Sequence, residues 1–215
     1  MKLALQSVNV AVPGTVLYKG REVSTSIRKR PVAGPVRLGA DRLEGDEQAD
    51  KVHHGGSDKA VCAYFFDHYP YWENAFGAPL EPGAFGENFT LAGGSERDVH
   101  IGDTFRLGEA LLQVTQPRVP CFKLAARHER PTLEREVIDA GYTGFYFRVL
   151  QPGYAAAGDA LVRETNHPLS VTIEEANRVM HREPGDMDGL KRLLAVDALA
   201  DSWRSQLSSR LPSSP

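Results

Sequence analysis

Glycine and proline interrupt the chain at short intervals from its start to about Val162, and this spacing restricts the fold more than any other sequence feature. Only brief apolar stretches fit between the interruptions, and such stretches are typical of short β-strands. Because no regular helical crossovers separate them, a closed or nearly closed barrel is favoured over a doubly wound sheet. The first part of the chain is therefore predicted to be mostly β, with some α.

Strands are predicted for five apolar stretches, at residues 8–12, 60–65, 104–107, 111–115 and 146–150. Gly108 and Glu109 are predicted to form a two-residue hairpin turn between two of these strands. Glycine also precedes aspartate at Gly45, Gly102 and Gly158, where we expect tight turns with a positive φ angle.

Helical patterns occur once within this part and then beyond about residue 165. Residues 67–76 are predicted to form a single helix with Pro70 in its first turn. Three short amphipathic helices are predicted near the C-terminus, the first opened by a capping box in which Glu175 reaches back to Thr172. The expected N-cap residues of the four helices are, in order, Asp67, Thr172, Asp188 and Asp197.

These patterns predict a β-barrel domain at residues 1–164, a three-helix domain at 165–211 and a disordered tail at 212–215. A chain of 215 residues is long enough for one substantial core with an appendage. The three-helix unit alone would have a weak core, so we expect it to pack against the barrel or a partner.

Composition narrows the classes of function. The chain has 25 basic and 28 acidic side chains, a formal net charge of -3, which argues against a general nucleic-acid or anionic-membrane surface. Its two cysteines, Cys62 and Cys121, can build neither a disulfide framework nor a four-cysteine metal site. No signal-peptide pattern or membrane-spanning apolar run occurs, so a soluble cytoplasmic protein is predicted.

The segment at residues 115–124 holds Cys121 in a proline-stiffened turn. Pro117 should end the preceding strand, and a helix is predicted to start directly after the cysteine. Arg118, Lys123 and the helix N-terminus all favour a thiolate, which is the form that attacks electrophiles and binds metals. The alternative is that Cys121 is a small buried apolar residue.

Two further segments could bind an anion. Lys29 lies in a basic cluster at residues 26–31, which forms either a phosphate clamp or a charged strand in solvent. The paired glycines after His54 would let backbone N–H groups approach an anion, with Lys59 supplying charge. His53 and His54 point to opposite faces of an extended chain, so at most one belongs to a site.

Polar residues in the second half of the predicted barrel are ambiguous in the same way. Glu87 and Asn88 lie in a glycine-bounded loop and either recognise the edge of a heterocycle or form a solvated turn. Arg148 lies in an aromatic strand and either faces solvent or holds an anion. Cys62, in an apolar stretch, is predicted to belong to the core.

Taken together, these segments resemble the MOSC family, named for the C-terminal domain of molybdenum-cofactor sulfurase, and within it the YiiM-like branch. The helical pattern at residues 171–176 and 202–203 is similar to the three-helix domain of that branch. The matching stretches of the barrel part are Gly45-Asp46-Glu47-Gln48-Ala49-Asp50, His54-Gly55-Gly56, Asp58-Lys59-Ala60, Phe85-Gly86-Glu87-Asn88, Gln116-Pro117-Arg118, Pro120-Cys121 and Arg148-Val149.

The resemblance implies a MOSC-type β-barrel, similar to the barrel of pyruvate kinase, followed by a small three-helix domain. It implies that the barrel binds a molybdenum cofactor, Mo-molybdopterin, with Cys121 as the ligand of the metal. The residues that would bind the rest of the cofactor are Lys29, His54, Lys59, Glu87, Asn88, Arg118, Lys123 and Arg148.

For the reaction, the resemblance implies two-electron reduction of N-hydroxylated compounds such as 6-hydroxylaminopurine, with Cys121 and His54 in catalytic positions and His54 transferring a proton. An external flavin or iron–sulfur protein would supply electrons, because the chain has no cysteine set for a cluster and no dinucleotide-binding fingerprint. The three-helix domain would dock that partner or form a homodimer.

Three alternatives stay open on the sequence. The barrel could be a cofactor carrier or sulfur-transfer module in which Cys121 carries a persulfide. It could be a cysteine hydrolase with His128 or His54 as base, or an anion-binding barrel without catalytic activity.

Overall fold

A closed barrel forms the centre of the computed structural model, which describes residues 1–47 and 56–211. The strands of this described part are β1 Lys2–Val10, β2 Gly14–Tyr18, β3 Arg21–Thr25, β4 Arg30–Pro31, β5 Val36–Leu38, β6 Val61–Phe65, β7 Phe89–Ala92, β8 Thr104–Leu107, β9 Ala110–Pro117, β10 Phe145–Gln151, β11 Gly153–Ala155 and β12 Ala160–Thr165.

Seven of these strands make the barrel wall, in the order β12-β8-β9-β10-β6-β7-β1. β1 pairs with β12 as well as with β7, for example at Leu3 and Leu161, and this pairing closes the ring. All neighbours are antiparallel except β6 and β7, which run parallel. β4 extends β1 beyond the ring, whereas β2 pairs with β3 and β5 with β11. The prediction of a MOSC-type β-barrel followed by a small helical region is confirmed.

Side chains from alternate positions of the strands fill the barrel. On β1, Leu3 and Leu5 are buried between exposed neighbours, as the two-residue repeat of a strand requires. Phe105 from β8 and Phe145 and Phe147 from β10 meet them in one apolar cluster. Full burial of each such side chain stabilises the fold by about 1.5–3 kcal/mol relative to its exposed state.

Three helices lie within the barrel sequence and three follow it. The last three pack on the barrel, because Ile173, Leu193 and Trp203 belong to the same continuous apolar core as the barrel interior. This confirms the expectation that the small helical unit packs against the barrel. The helices of the described residues are α1 Tyr69–Phe76, α2 Phe122–Arg127, α3 Leu133–Ala140, α4 Ile173–Asn177, α5 Met187–Ala195 and α6 Asp201–Ser208.

Several helix starts differ from the prediction. Helix α1 begins at Tyr69, and Asp67 accepts a hydrogen bond from the Gly93 N–H instead of capping it. Asp186, not Asp188, caps α5 by accepting from the Gly189 N–H. In both helices the predicted cap is an aspartate close in sequence to the observed N-cap residue. The sequence does not separate the two positions, because Asp is favourable at several turn positions.

Of the other two predicted caps, Thr172 is confirmed and Asp197 is not. Thr172 does cap α4, because its hydroxyl accepts from the Glu175 N–H at 2.9 Å. The carboxylate of Glu175 accepts from Arg192 and does not complete a capping box. Helix α6 begins at Asp201, while Asp197 accepts from His167.

The predicted strands are present, and the hairpin turn at residues 108–109 joins β8 to β9. Strand β1 begins at Lys2, six residues before the predicted start of its segment. Helix α3 and seven strands of the described residues, β2, β3, β4, β5, β7, β11 and β12, were not predicted. The β2–β3 hairpin is mostly exposed, so its sequence carries little alternation of apolar and polar residues.

No helix in residues 1–47 or 56–211 combines the length and apolar character needed to cross a membrane. The predicted tail at 212–215 lies outside the described residues. The division into domains at residues 164 and 165 stays a prediction.

Candidate functional site

A cleft opens on the barrel, between strands β6 and β10, the loop that follows β9 and the segment that follows β3. Its space, including the part open to solvent, is about 620 Å³, and we call it the barrel cleft. Its polar lining contains four basic side chains and one carboxylate, so the space favours an anionic occupant. The polar and thiol side chains that line it are Thr25, Ser26, Lys29, Asp46, Lys59, Cys62, Asn88, Arg118, Cys121, Lys123 and Tyr146.

Cys121 lies where strand β9 passes into helix α2. The strand ends at Pro117, and the next residue, Arg118, donates its backbone N–H to the Gly144 carbonyl at 3.0 Å. Cys121 is the N-cap residue of α2 and is half-buried. The predicted end of the strand and start of the helix are confirmed, and the thiol faces the cleft.

Arg118 is the most unusual group of the cleft. Its side chain is 5% exposed, and its Nη1 atom is buried without a hydrogen-bond acceptor in the described part of the chain. The hydroxyl of Ser26, on the same cleft, is also buried and unpaired among those residues. A buried donor without an acceptor costs about 1–3 kcal/mol, more when it is charged. A ligand with acceptor oxygens would remove this cost.

The basic cluster at residues 26–31 divides between cleft and solvent. Lys29 is buried and pairs with Asp46 on the cleft, whereas Arg28 and Arg30 are exposed. Asp46 in turn accepts from the Asn88 amide at 3.0 Å, so the Lys29 ammonium is held in place. Only the middle cation of the three therefore reaches the space where an anion would lie.

The other two predicted lysines approach the cleft from separate elements. Lys59 ends a 3₁₀ turn at Ser57–Lys59, and Lys123 lies in the first turn of α2. Both line the cleft beside Cys121. The tertiary structure therefore brings together cations that are separated by 94 residues between Lys29 and Lys123.

Cys62 is on strand β6, and the prediction that it is buried is confirmed. It also lines the cleft, which the sequence did not indicate. Asn88 holds its backbone on both sides, accepting from the Cys62 N–H at 3.1 Å and donating its own N–H to the Cys62 carbonyl at 2.8 Å. Burial raises the pKa of the Cys62 thiol to about 11, so it stays protonated at neutral pH.

Two of the predicted cofactor-binding residues are placed away from the cleft lining. Glu87 is fully buried, and its carboxylate accepts from Tyr69, Thr90 and two backbone N–H groups at 2.6–3.0 Å. It thereby fixes the loop before β7. Arg148 pairs with Asp58 at 2.6 Å on the outside of the cleft.

The histidines have separate outcomes. His53 and His54 lie outside the described residues. His128 ends helix α2, where its Nε2 contacts the Ala84 carbonyl at 2.8 Å and its ring stacks on Phe76. Its ring is absent from the described lining of the cleft, which leaves the hydrolase alternative without its His128 base. Burial lowers the pKa of His128.

Tyr146 is a lining residue that the sequence analysis did not select. It lies on β10 opposite Gln116, and its phenol belongs to the cleft with Cys121 and Arg118. Burial raises the pKa of Tyr146, so its hydroxyl keeps its proton. Its position within an aromatic strand gave no sign of this role, because tyrosine at such positions usually packs in a core.

A second cavity adjoins the first at Cys121. It lies between the barrel and α6, has a volume of about 1080 Å³ including the part open to solvent, and is called here the interdomain cavity. Lys59, Val119, Cys121, Lys123 and Tyr146 line both spaces. Helix α6 contributes Ser202, Trp203 and Gln206 to the second space alone. Cys121 thus lies between the two spaces and lines both.

Within the described chain, no three His, Cys, Asp or Glu side chains cluster in a way that could hold a metal ion.

The barrel part of the chain and its C-terminal helical part each match a known family. Residues 50–162 match the MOSC domain, which is more than half of the chain. The chain belongs to the MOSC domain family. Residues 171–213 of this MOSC protein match the YiiM-like, 3-alpha helix domain. The predicted family and branch are thereby confirmed.

Relatives agree with this membership. The chain is 42% identical over 209 residues to the uncharacterized protein YflK of Bacillus subtilis, covering 97% of this chain and 95% of the relative. It is 39% identical to YiiM of Geobacillus stearothermophilus, whose crystal structure superposes with a TM-score of 0.84 over 98% of this chain and 100% of the other. It is also 41% identical over 150 residues to a protein of Gibberella moniliformis named reductase, covering 66% of this chain but 26% of that longer protein.

Proposed function

We propose that this MOSC protein binds a molybdenum cofactor of the molybdopterin type in the barrel cleft and reduces N-hydroxylated compounds such as 6-hydroxylaminopurine. One observation carries the proposal. The same cleft holds a half-buried cysteine and a buried guanidinium nitrogen that lacks an acceptor among the described residues. A cofactor with a soft metal at one end and a phosphate at the other would engage both.

The side chains present fit such a group. Arg118 Nη1 and the Ser26 hydroxyl are donors in need of acceptor oxygens, and Lys29 adds a fixed positive charge. Lys59 and Lys123 bring further positive charge to the side of the cleft where Cys121 lies. The thiolate of Cys121 is a suitable ligand for molybdenum.

When bound, the cofactor would supply the two-electron redox chemistry. The overall change, R–NHOH + 2 e⁻ + 2 H⁺ → R–NH₂ + H₂O, breaks one N–O bond and consumes two protons. Tyr146 holds a proton on its hydroxyl in the cleft, and Cys62, which is its partner across strands β10 and β6, keeps its own. His54 remains the proton-transfer residue proposed from the sequence.

Electrons would come from an external flavin or iron–sulfur protein, since the described residues hold no cluster-binding group of cysteines. The relative named reductase supports a reduction, because the shared segment includes most of the MOSC region and the longer protein has room for further parts. A carrier of cofactor or sulfur, with a persulfide at Cys121, is the alternative that the same cleft would serve.

The two cysteines of the cleft provide a matched test. Wild-type protein, Cys121→Ala and Cys62→Ala would be loaded with cofactor, and molybdenum per chain would be measured together with reduction of 6-hydroxylaminopurine by a chemical electron source. We expect about one metal per chain and turnover in the wild type and in Cys62→Ala. Cys121→Ala should lose the metal and at least about 100-fold in activity, because a metal ligand is removed.

Full metal retention in Cys121→Ala would contradict the assignment of the ligand. A stable persulfide on Cys121 in wild-type protein, without metal-dependent reduction, would favour the sulfur-transfer alternative.

A further inference from the structure

The interdomain cavity has a wall that the barrel does not provide. Helix α6 presents Ser202 and Gln206, one turn apart and therefore on one face, with Trp203 beside them. The opposite wall is the loop that carries Cys121. Any molecule in this cavity would approach the thiol from the side away from the cofactor phosphate donors, Arg118 and Ser26, which line only the barrel cleft.

The first turn of α6 is fixed to the barrel by three consecutive residues. The Ala200 N–H donates to the Thr115 carbonyl at 3.1 Å, and the Asp201 N–H donates to the Asp58 carboxylate at 3.0 Å. The Ser202 hydroxyl donates to the Gln116 side-chain carbonyl at 3.0 Å. The position of α6 over Cys121 is thereby set by backbone and side-chain bonds, and a recognition surface built on it is preorganised.

Arg148 takes part in this attachment. Its guanidinium donates to Asp58 Oδ1 at 2.6 Å, while Asp58 Oδ2 accepts from the first residue of α6. Asp58 immediately precedes Lys59, which lines both cavities. Arg148 therefore acts through Asp58 to position α6 and Lys59.

Gln206 is the polar side chain of α6 that is open to a ligand. It is exposed, and its side-chain amide makes no hydrogen bond with the described residues. Gln116, by contrast, uses its amide on Ser202 and on the Pro117 carbonyl. A primary amide offers one acceptor and two donors, which match the adjacent donor and acceptor atoms on the edge of a nitrogen heterocycle.

The part of the lining away from the barrel cleft is suited to a flat apolar body. Phe122 and Pro120 contribute aromatic and aliphatic surface there, with Trp203 buried behind them, whereas Lys59 and Lys123 lie on the side that the cavity shares with the barrel cleft. Together with Gln206, this surface suits an uncharged planar ring with one polar edge. We infer that the interdomain cavity is the substrate site and that Gln206 selects N-hydroxylated nitrogen heterocycles through their polar edge. The inference rests on the proposed reductase function of the barrel cleft.

Binding can be measured without the cofactor. Isothermal titration of the cofactor-free full-length chain with adenine would be compared for wild type, Gln206→Ala and Gln206→Leu. Gln206→Leu keeps most of the bulk of the side chain and removes its hydrogen bonds. Gln151→Ala, an exposed glutamine on β10 away from both cavities, is the matched control. We expect both Gln206 variants to weaken adenine binding about tenfold, as for the loss of one or two hydrogen bonds, with no change in the control.

Kinetics of the loaded enzyme give the second readout. KM for 6-hydroxylaminopurine should rise about tenfold in both Gln206 variants, whereas the kinetics with hydroxylamine itself, which has no ring, should stay unchanged. If loaded wild-type protein reduces neither compound, the proposed function fails, while a loss of adenine binding in the variants would still locate the ring at Gln206.

Three results would overturn the inference itself. One is undetectable adenine binding to the wild type, and another is equal adenine binding and equal KM in all variants. The third is AMP binding much more tightly than adenine with no effect of Gln206, because it would assign the cavity to an anion.

Discussion

The two walls of the barrel cleft each present a cysteine, and the two thiols have opposite environments. Cys62 lies on β6, which is paired with a strand on each side, and Asn88 occupies both its backbone N–H and its carbonyl. Cys121 lies in the loop after β9, half-buried and adjacent to both cavities. The same residue type is thus held inert on a strand and made accessible on a loop.

This difference shows that the strands hold the site in place, whereas the loop after β9 carries its reactive groups. The strand wall keeps Cys62, Asn88 and Asp46 in a network of satisfied hydrogen bonds. The loop wall carries Cys121 and Arg118, whose Nη1 atom has no acceptor among the described residues. A rigid sheet that positions a loop of reactive groups is a common arrangement in enzymes.

The largest expected effect is in thiol chemistry. With iodoacetamide at pH 7.5, Cys121 should be alkylated at least about 100-fold faster than Cys62, because thiolate and access are both required. With a pKa of about 11, roughly one Cys62 thiol in three thousand is ionised at this pH. Peptide mapping by mass spectrometry would follow the two sites separately.

The pH dependence of Cys62 sharpens the same comparison. As the pH rises towards 11, the alkylation rate of Cys62 should increase about tenfold for each pH unit, because the thiolate fraction rises in that proportion. Equal alkylation of both cysteines at neutral pH would contradict the difference between the two walls.

A second prediction compares Arg118, which lines the barrel cleft, with Arg148, which lies on β10 outside the described lining. Arg118→Met should weaken cofactor binding by about 10- to 100-fold, because one or more charge-assisted hydrogen bonds are lost. The cofactor-free variant should be as stable as wild type or more stable, since an incompletely bonded buried cation is removed.

Arg148→Met is the control, and we expect it to lower stability more than it weakens cofactor binding. It breaks the pair with Asp58, in which both side chains are 24% exposed, and should lower the free energy of unfolding by about 1–2 kcal/mol. Its effect on cofactor binding should be smaller than that of Arg118→Met. Thermal unfolding and cofactor titration of both variants would test this. A larger loss of cofactor binding in Arg148→Met than in Arg118→Met would contradict it.

The smallest expected effect concerns His128, at the end of α2 behind the loop wall. Burial lowers its pKa from the usual 6.5, so the unfolded chain takes up a proton at a higher pH than the folded protein does. Stability from this group is present above pH 6.5 and is lost as the pH falls below it.

Urea unfolding at pH 7.5 and 5.5 would test this effect. The midpoint of the wild type should fall more between the two pH values than that of His128→Gln, in which the remaining histidines are unchanged. An identical fall in both proteins would assign the pH dependence to other groups.

The sequence by itself determined the class of fold and the centre of the site. Short apolar stretches between glycines and prolines predicted the barrel, and the prolines around Cys121 predicted where β9 ends and α2 starts, because these signals act over a few residues. The basic and polar motifs also led to the MOSC family, whose membership the comparisons show.

Only the tertiary structure decided which side chains share a space. It placed Lys29 inside the cleft and Arg28 outside, gave Glu87 a structural role in its loop, and brought Tyr146 next to Cys121. It also set α6 over the same thiol through bonds between Ala200 and Thr115 and between Asp201 and Asp58. These outcomes depend on strand register, barrel closure and helix docking between segments distant in the chain, and a local sequence pattern does not encode them.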